Sequence, residues 1–314
     1  MLTNRLCRLA SFLRIGAAGP INGSPGGQLD FTSIFFTGVT FMIPSFLLAL
    51  REGLEAALII GIVLGALHKM NRPALKPAVW RGTAAAIGGS FLVALVLNLI
   101  GAELEGAGEQ IFEGFTMLLA AGVLTWMIFW MKRQSRHLKK ELEEKTSQAV
   151  GRSGQRALFA LAFLAVFREG VELALFLLAT RFASSPLQTI IGALLGLAGA
   201  VILGWMMFNS SRRLNLQQFF TVTSILLILF AAGLVGHAVH EFNELGWIPA
   251  IIDPVYNLNP LLPEQSFVGD ILKALFGYNG NPSLTETIAY LGYFGILLVI
   301  TWPGRYRKPV LATG

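Results

Sequence analysis

Arg51-Glu52-Gly53-Leu54-Glu55-Ala56-Ala57-Leu58 returns 117 positions later as Arg168-Glu169-Gly170-Val171-Glu172-Leu173-Ala174-Leu175. Both copies read REGxExAL, and both lie inside long apolar stretches, 42–68 and 157–180. On a helix Glu52 and Glu55 are i,i+3 and project from one face, as do Glu169 and Glu172. Arg51 with Glu55 and Arg168 with Glu172 are i,i+4, so each helix can hold its own ion pair. Gly53 and Gly170 remove bulk beside the carboxylates, which allows a close helix crossing or a local unwinding. The arginines lie about nine and eleven residues into their stretches, roughly 14–17 Å deep and near the middle of a ~30 Å bilayer core. One isolated charge there costs about 2.5–3.5 kcal/mol, and six cost on the order of 15–20 kcal/mol before pairing. Such groups persist only where they face each other, water or a substrate.

The rest of the chain agrees with a membrane setting. Of 314 residues 54% are hydrophobic and only 13% charged, with mean hydropathy +0.63. An ordinary soluble domain carries about 25% charged residues, so this chain cannot coat a water-facing surface and is too apolar for disorder. Seven stretches approach the roughly 20 apolar residues that a helix needs to span a bilayer: 42–68, 82–102, 111–131, 157–180, 187–209, 216–240 and 286–302. Trp126, Trp130, Trp205, Trp247 and Trp302 fall near their ends, where an indole suits the interface. The single Cys7 excludes an internal disulfide, a Cys-based zinc site and a CxxC pair.

Lys and Arg set the orientation. Lys69, Arg72, Lys76 and Arg81 follow the first span, eight basic residues from Lys132 to Arg156 follow the third, Arg212 and Arg213 follow the fifth, and Arg305, Arg307 and Lys308 lie in the tail. With alternating spans all of these share one side, and the opposite loops hold only Arg181 and Lys273. The N-terminus is therefore expected outside and the C-terminus in the cytoplasm. The net charge of +6 is a topology signal and not a nucleic-acid footprint, which would need one solvated basic face. Acids show the reverse bias, from Glu103 to Glu113 and from Glu241 to Glu286 on the outer side. That bias either gathers cations or reflects only the exclusion of Lys and Arg from translocated loops.

The repeat extends beyond the charged motif. Gly82 and Gly89 align with Gly192 and Gly199 at an offset of 110, and Gly122 with Gly233 at 111. Three consecutive helices recur, and because three is odd the second set must cross in the opposite sense, as in transporters with inverted-topology repeats. The expected fold is an all-α integral membrane protein of seven transmembrane helices, an inverted 3+3 repeat plus a seventh. The expected divisions are an N-terminal arm 1–41, disordered or preceding a start at Met42, a first repeat 42–131, a cytoplasmic loop 132–156, a second repeat 157–240, an extracytoplasmic segment 241–285, and the seventh helix and tail 286–314.

If the two charged helices cross antiparallel, four carboxylates and two guanidiniums converge with a formal charge of −2, from four negative and two positive groups. A divalent cation would neutralise this. Carboxylate oxygens are hard ligands suited to iron, manganese, magnesium or calcium. The alternatives are interhelical ion pairs in a purely structural subunit, or arginines serving as ligands for an anionic solute. A membrane di-iron oxidase or metalloprotease would need ExxH pairs or HExxH, and the chain has neither.

Two REGxE helices in a seven-span chain resemble the high-affinity iron permease family, which includes fungal oxidase-coupled permeases and bacterial EfeU-type ones. The resemblance covers nearly all of 42–302. It includes Ile43-Pro44-Ser45-Phe46, Phe112-Glu113-Gly114 followed by Leu124-Thr125-Trp126-Met127, Arg213-Leu214-Asn215-Leu216 and Leu275-Phe276-Gly277-Tyr278. It implies that Glu52, Glu55, Glu169 and Glu172 bind iron in the permeation path, with Arg51, Arg168, Gly53 and Gly170 as motif partners. It also implies a transporter of the plasma membrane (the inner membrane in a two-membrane bacterium), with iron as cargo and no permanently bound cofactor. Any redox step would fall to an extracytoplasmic oxidase, peroxidase or iron-binding partner.

Secondary candidates lie on the expected outer side. Glu109 and Glu113 are i,i+4 at the start of the third span, either as a capture site or as a solvated helix N-terminus that favours acids. His237, His240 and Glu241 share a face at the end of the sixth span, as a metal entrance or as interfacial hydrogen-bonding groups. Ser266–Phe276 reads as a short amphipathic helix, a candidate lid, and Lys139–Lys145 as a solvated cytoplasmic helix.

Overall fold

The computed structural model describes residues 42–134, 138–152, 154–183, 186–209, 216–264 and 266–301. Residues 1–41 and the basic tail, and with them the arm and the alternative start at Met42, lie outside these. The described residues form helices and connecting turns, with no strand among them. In chain order the helices are α1 (Ile43–Lys69), α2 (Lys76–Glu103), α3 (Ala107–Gln134), α4 (Leu138–Arg152), α5 (Gln155–Ala183), α6 (Pro186–Asn209), α7 (Leu216–Glu244), α8 (Phe267–Phe276) and α9 (Leu284–Thr301). α2 starts six residues before the expected span because Pro77, at its first turn, is pre-set for a helix start. The segment 132–156, expected as a loop, is largely the helix α4, and Lys69 at the end of α1 pairs with its Glu143 at 2.9 Å.

Five helices are long and apolar enough to cross a membrane: those within Pro73–Glu103, Ala107–Met131, Pro186–Met207, Gln218–Glu244 and Leu284–Thr301. The two other expected spans, α1 and α5, are the helices that carry the REGxE charges. Large apolar side chains cover the outward faces of the spanning helices, among them Phe91 and Leu99 on α2, Leu194 and Val201 on α6 and Leu298 on α9. In water such a surface would aggregate, and in lipid it is the solvated one.

Small residues decide which helices touch. On α6, Gly192, Gly196, Ala200 and Gly204 recur every fourth residue and form one stripe against α1. A Cβ at Gly196 would meet Ala49 Cβ at 2.9 Å, and Gly53 of α1 is backed by Ala200 Cβ at 2.7 Å. On α2, Ala78, Gly82, Ala86 and Ser90 form the matching stripe, buried against α5. Gly82 faces the Phe159 carbonyl, Gly89 the Phe167 ring and Gly170 of α5 the Ser90 side chain. Without an apolar driving force in lipid, such close backbone approach supplies the van der Waals contact that holds helices together.

The contacts also fix directions. Residues 42 to 57 of α1 meet residues 192 to 204 of α6 in ascending order, so these helices run parallel. Residues 159 to 170 of α5 meet 82 to 90 of α2 in the same way. α3 and α7 are antiparallel, since Gln110 bonds Glu244 and Gly114 abuts Phe242. Leu48 of α1 shares a core with Phe176 and Ala179 of α5, and Val63 and Leu67 share one with Leu158 and Ala162, so α5 runs against α1. A shared core of Met117, Leu124 and Met127 from α3, Phe176 from α5, and Leu227 and Leu234 from α7 closes the centre.

α8 begins at Ser266, whose hydroxyl accepts from the Gly269 amide at 3.1 Å, and ends at Gly277 in the left-handed region, φ 65°. It packs on α7 and α1, with Gly277 pressed against the Gly233 backbone.

The glycine stripes make a direct test. A Cβ at Gly82 would sit 2.5 Å from the Phe159 carbonyl oxygen, whereas one at Gly88 meets nothing within 4 Å. Gly82→Ala is expected to cost about 1–3 kcal/mol through overpacking. Gly88→Ala is expected to gain about 0.5–1 kcal/mol from helix entropy. Thermal unfolding in detergent measures both, and equal midpoints would contradict the α2–α5 contact.

Candidate functional site

The two REGxE motifs meet where α1 crosses α5. The stripes on α6 and α2 pull the glycine side of each motif helix against its neighbour, Gly53 on Ala200 and Gly170 on Ser90. The carboxylates occupy other faces of the same turns. Glu52, Glu169 and Glu172 converge: one oxygen of each lies within 4.8 Å of the others, and all three side chains are buried. This is the one such ligand group of three or more among the described residues. Oxygens bound at 2.3–2.6 Å on opposite sides of one cation stand up to about 5 Å apart, so the spacing suits a single hard cation.

Glu55 departs from the expected fourfold set. It is buried, but its Oε1 faces Arg51 Nε at 3.3 Å. It remains within electrostatic reach of Glu172 and Arg168. Arg51 is wholly buried, with Nη1 4.0 Å from Glu52 Oε1. None of its side-chain nitrogens has a hydrogen-bond partner among the described residues, and neither oxygen of Glu52 has one. Oε2 of Glu169 and of Glu172 are likewise without donors there. Three ionised carboxylates at this separation repel by about 3 kcal/mol per pair at an effective dielectric near 20, and buried charge without hydrogen bonds costs more. A cation among the three oxygens reverses the sign of that interaction.

The two arginines are not equivalent. Arg168 Nε bonds Glu172 Oε1 at 2.8 Å, and its side chain is 34% exposed against 0% for Arg51. Its guanidinium lies over the Trp130 ring at 4.4 Å and the Trp126 ring at 5.5 Å. Trp126 and Trp130 are thus more than the interfacial anchors that their positions suggested. Nothing in their spacing from the motif, more than thirty residues away in sequence, pointed to Arg168.

The expected outer residues gather at one end of the bundle. α3 begins and α7 ends there, and Gln110 Nε2 donates to Glu244 Oε2 at 2.7 Å. Glu113 lies within electrostatic reach of Glu241, Glu109, Glu244 and Arg181. His237 Nδ1 pairs with the Gly233 carbonyl at 2.9 Å, and His240 is held by Glu286 at 3.1 Å and Glu244 at 3.3 Å. Glu109, Glu113, His237, His240 and Glu241 do not enter a three-ligand group among the described residues. Glu286 carries more than its sequence context suggested: it also accepts from Asn279 and from the Ser283 amide, tying α9 to α7.

Apolar helices long enough to span a bilayer, packed around buried, converging carboxylates, define a multi-pass membrane protein. The Iron permease FTR1 family matches residues 42–306, and the chain belongs to that family. A ferrous iron permease EfeU of Escherichia coli O6:K15:H31 (strain 536 / UPEC) is 34% identical over 254 residues, covering 80% of this chain and 92% of the relative. One from Yersinia pestis is 34% identical over 261 residues, 82% of this chain and 93% of the relative. A relative in Escherichia coli strain K12, named as an inactive ferrous iron permease EfeU, is likewise 34% identical over 254 residues. No solved structure matches the chain.

The unequal burial of the arginines is testable. Arg51→Leu leaves Glu52 and Glu55 without their nearest cation in a closed interior, and is expected to destabilise by about 3–5 kcal/mol. Arg168→Leu, at a site 34% open where Arg51 is closed off, is expected to cost less. Unfolding midpoints of both variants in detergent decide it, and equal losses would contradict the burial.

Proposed function

We propose that this protein carries iron across the plasma membrane into the cytoplasm through the carboxylates of the two REGxE helices. Glu52, Glu169 and Glu172 are the proposed ligands in the passage. Glu55, the fourth motif carboxylate, stays paired with Arg51 beside them. The observation that carries this reading is the convergence of three buried carboxylate oxygens within 4.8 Å from two different helices. Iron follows from the family, and the ferrous form from the names of the two relatives above.

The proposed architecture is seven spans, with α1–α3 and α5–α7 as inverted halves and α9 as the seventh. Its support is an exchange rule in the contacts. Gly53 on Ala200 becomes Gly170 on Ser90 when the motif helices exchange at an offset of 117 and the second helices at 110. The same rule converts Gly82 on Phe159 and Ala162 into Gly192 on Met42 and Ser45, and Gly89 on Phe167 into Gly199 on Leu50. Four independent contacts obeying one exchange, with α1 and α5 running oppositely, support a pseudo-two-fold axis through the carboxylates. Two halves so related can trade places as access alternates.

The basic residues around α4 support a cytoplasmic position for that side. The acids at the α3–α7 end, Glu109, Glu113 and Glu241 with His237 and His240 nearby, then face outward and draw cations to the entrance. α8 packs on α7 and α1 with its C-terminal end against Gly233, and in this reading it closes the passage from that side. The resemblance to oxidase-coupled permeases supports an extracytoplasmic oxidase, peroxidase or iron-binding protein as partner. In this reading iron is the substrate and the protein holds no resident cofactor.

Glu52→Gln and Glu169→Gln are each expected to reduce iron uptake into proteoliposomes to background while the protein inserts in normal amount. Retained uptake in both variants would overturn the site. A periplasmic-type reporter fused after Gly106 is expected to be active and one after Gly151 inactive, and the reverse result would overturn the orientation.

A further inference from the structure

We infer that Trp126 and Trp130 form a receiving box for the Arg168 guanidinium, which moves off Glu172 when iron takes that carboxylate, so that Arg168 is a latch on the cytoplasmic side of the site. The inference rests on the transport reading and adds two positioning residues to it. Arg168 stands at a branch point. Its Nε holds Glu172 Oε1 at 2.8 Å, while its guanidinium carbon lies 4.4 Å from the Trp130 centroid and 5.5 Å from that of Trp126. The two indoles stack on each other, centroids 6.4 Å apart and planes at 26°, and so present a double ring surface. A cation above such a surface is attracted by the ring quadrupoles, most strongly when it is partly desolvated.

The other half of the molecule shows why only one arginine can move. At the offset of 111 that relates α3 to α7, Trp126 and Trp130 correspond to His237 and Glu241. Gly122 corresponds to Gly233. A Cβ at Gly122 would meet nothing within 4 Å, whereas Gly233 is closed off by Gly277 at the end of α8. Arg51, the counterpart of Arg168, is 0% exposed. One half therefore has an aromatic surface and open space, and the other a filled groove and a sealed arginine. Arg51 stays with Glu52 and Glu55, and Arg168 alternates between Glu172 and the indoles. Without the box, freeing Glu172 for a metal ion would strand a guanidinium in a largely apolar bundle. With it, the guanidinium keeps a partner in both positions.

The test is iron uptake by the full-length protein in proteoliposomes, read as half-saturation and maximal rate separately. Trp130→Phe keeps a weaker ring and Trp130→Leu removes it. The expected half-saturating iron concentration rises about threefold for Phe and about tenfold for Leu, with reconstituted protein unchanged. Trp205→Leu, on the outward face of α6, is expected to leave it unaltered. Equal half-saturation in wild type and Trp130→Leu, or a Phe variant as impaired as the Leu variant, would overturn the latch. Glu172→Gln separates the two levels. Loss of uptake there beside a neutral Trp130 series removes the latch alone, whereas wild-type uptake by Glu172→Gln removes the carboxylate site itself and the latch with it.

Discussion

Burial of like charge is the constraint around which this molecule is arranged. Glu52, Glu169 and Glu172 lie close together in an apolar bundle, and Arg51 and Arg168 offset them only in part. A structural ion-pair network would satisfy each oxygen with a fixed donor, because an unsatisfied buried charge costs several kcal/mol. Here oxygens on Glu52, Glu169 and Glu172 lack donors among the described residues, and so does the Arg51 guanidinium. Such an arrangement is poor glue. Under the proposed reading it would hold a cation without closing a complete cage, so that a transported ion can leave.

Holding that cluster in lipid requires rigid helices at close range, and the glycine and alanine stripes provide it. α1 is gripped along its glycine side by α6, and α5 by α2. The carboxylates are therefore set by contacts between helices distant in sequence. A movement of α1 relative to α5 changes the distance between Glu52 and the pair Glu169–Glu172, which sit on different helices. Under the proposed inverted repeat, the geometry that would bind the ion is the geometry that alternating access would alter.

Much of this could be read from the residues. The i,i+3 carboxylates, their recurrence at a fixed offset and the apolar length around them led to a membrane helix pair with converging acids, and the glycine offsets aligned the second and third helices of each set, though they did not show which helix packs on which. The helix over Phe267–Phe276 was also signalled, by its amphipathic pattern between Ser266 and Gly277. Other features depend on tertiary placement and left no local mark. Glu55 and Glu172 each pair with their own arginine, as the i,i+4 spacing suggested, but only Glu172 also enters the three-carboxylate group, because the motif helices see different neighbours. Trp126 and Trp130 read as interfacial by position, and only the packing of α3 on α5 brings them to Arg168. The helix expected over Lys139–Lys145 is present but longer, Leu138–Arg152, because its i,i+4 pairs, such as Glu141 with Lys145 at 2.7 Å, sit in its first turns and the following Thr146–Arg152 offers no charged pattern to extend it.

The decisive measurement is iron-edge X-ray absorption of the purified protein loaded with ferrous iron. A carboxylate site built from Glu52, Glu169 and Glu172 predicts a first shell of oxygen alone, lost in the Glu52→Gln/Glu169→Gln double variant. A shell containing imidazole nitrogen, or an oxygen shell that survives in that variant, would contradict it.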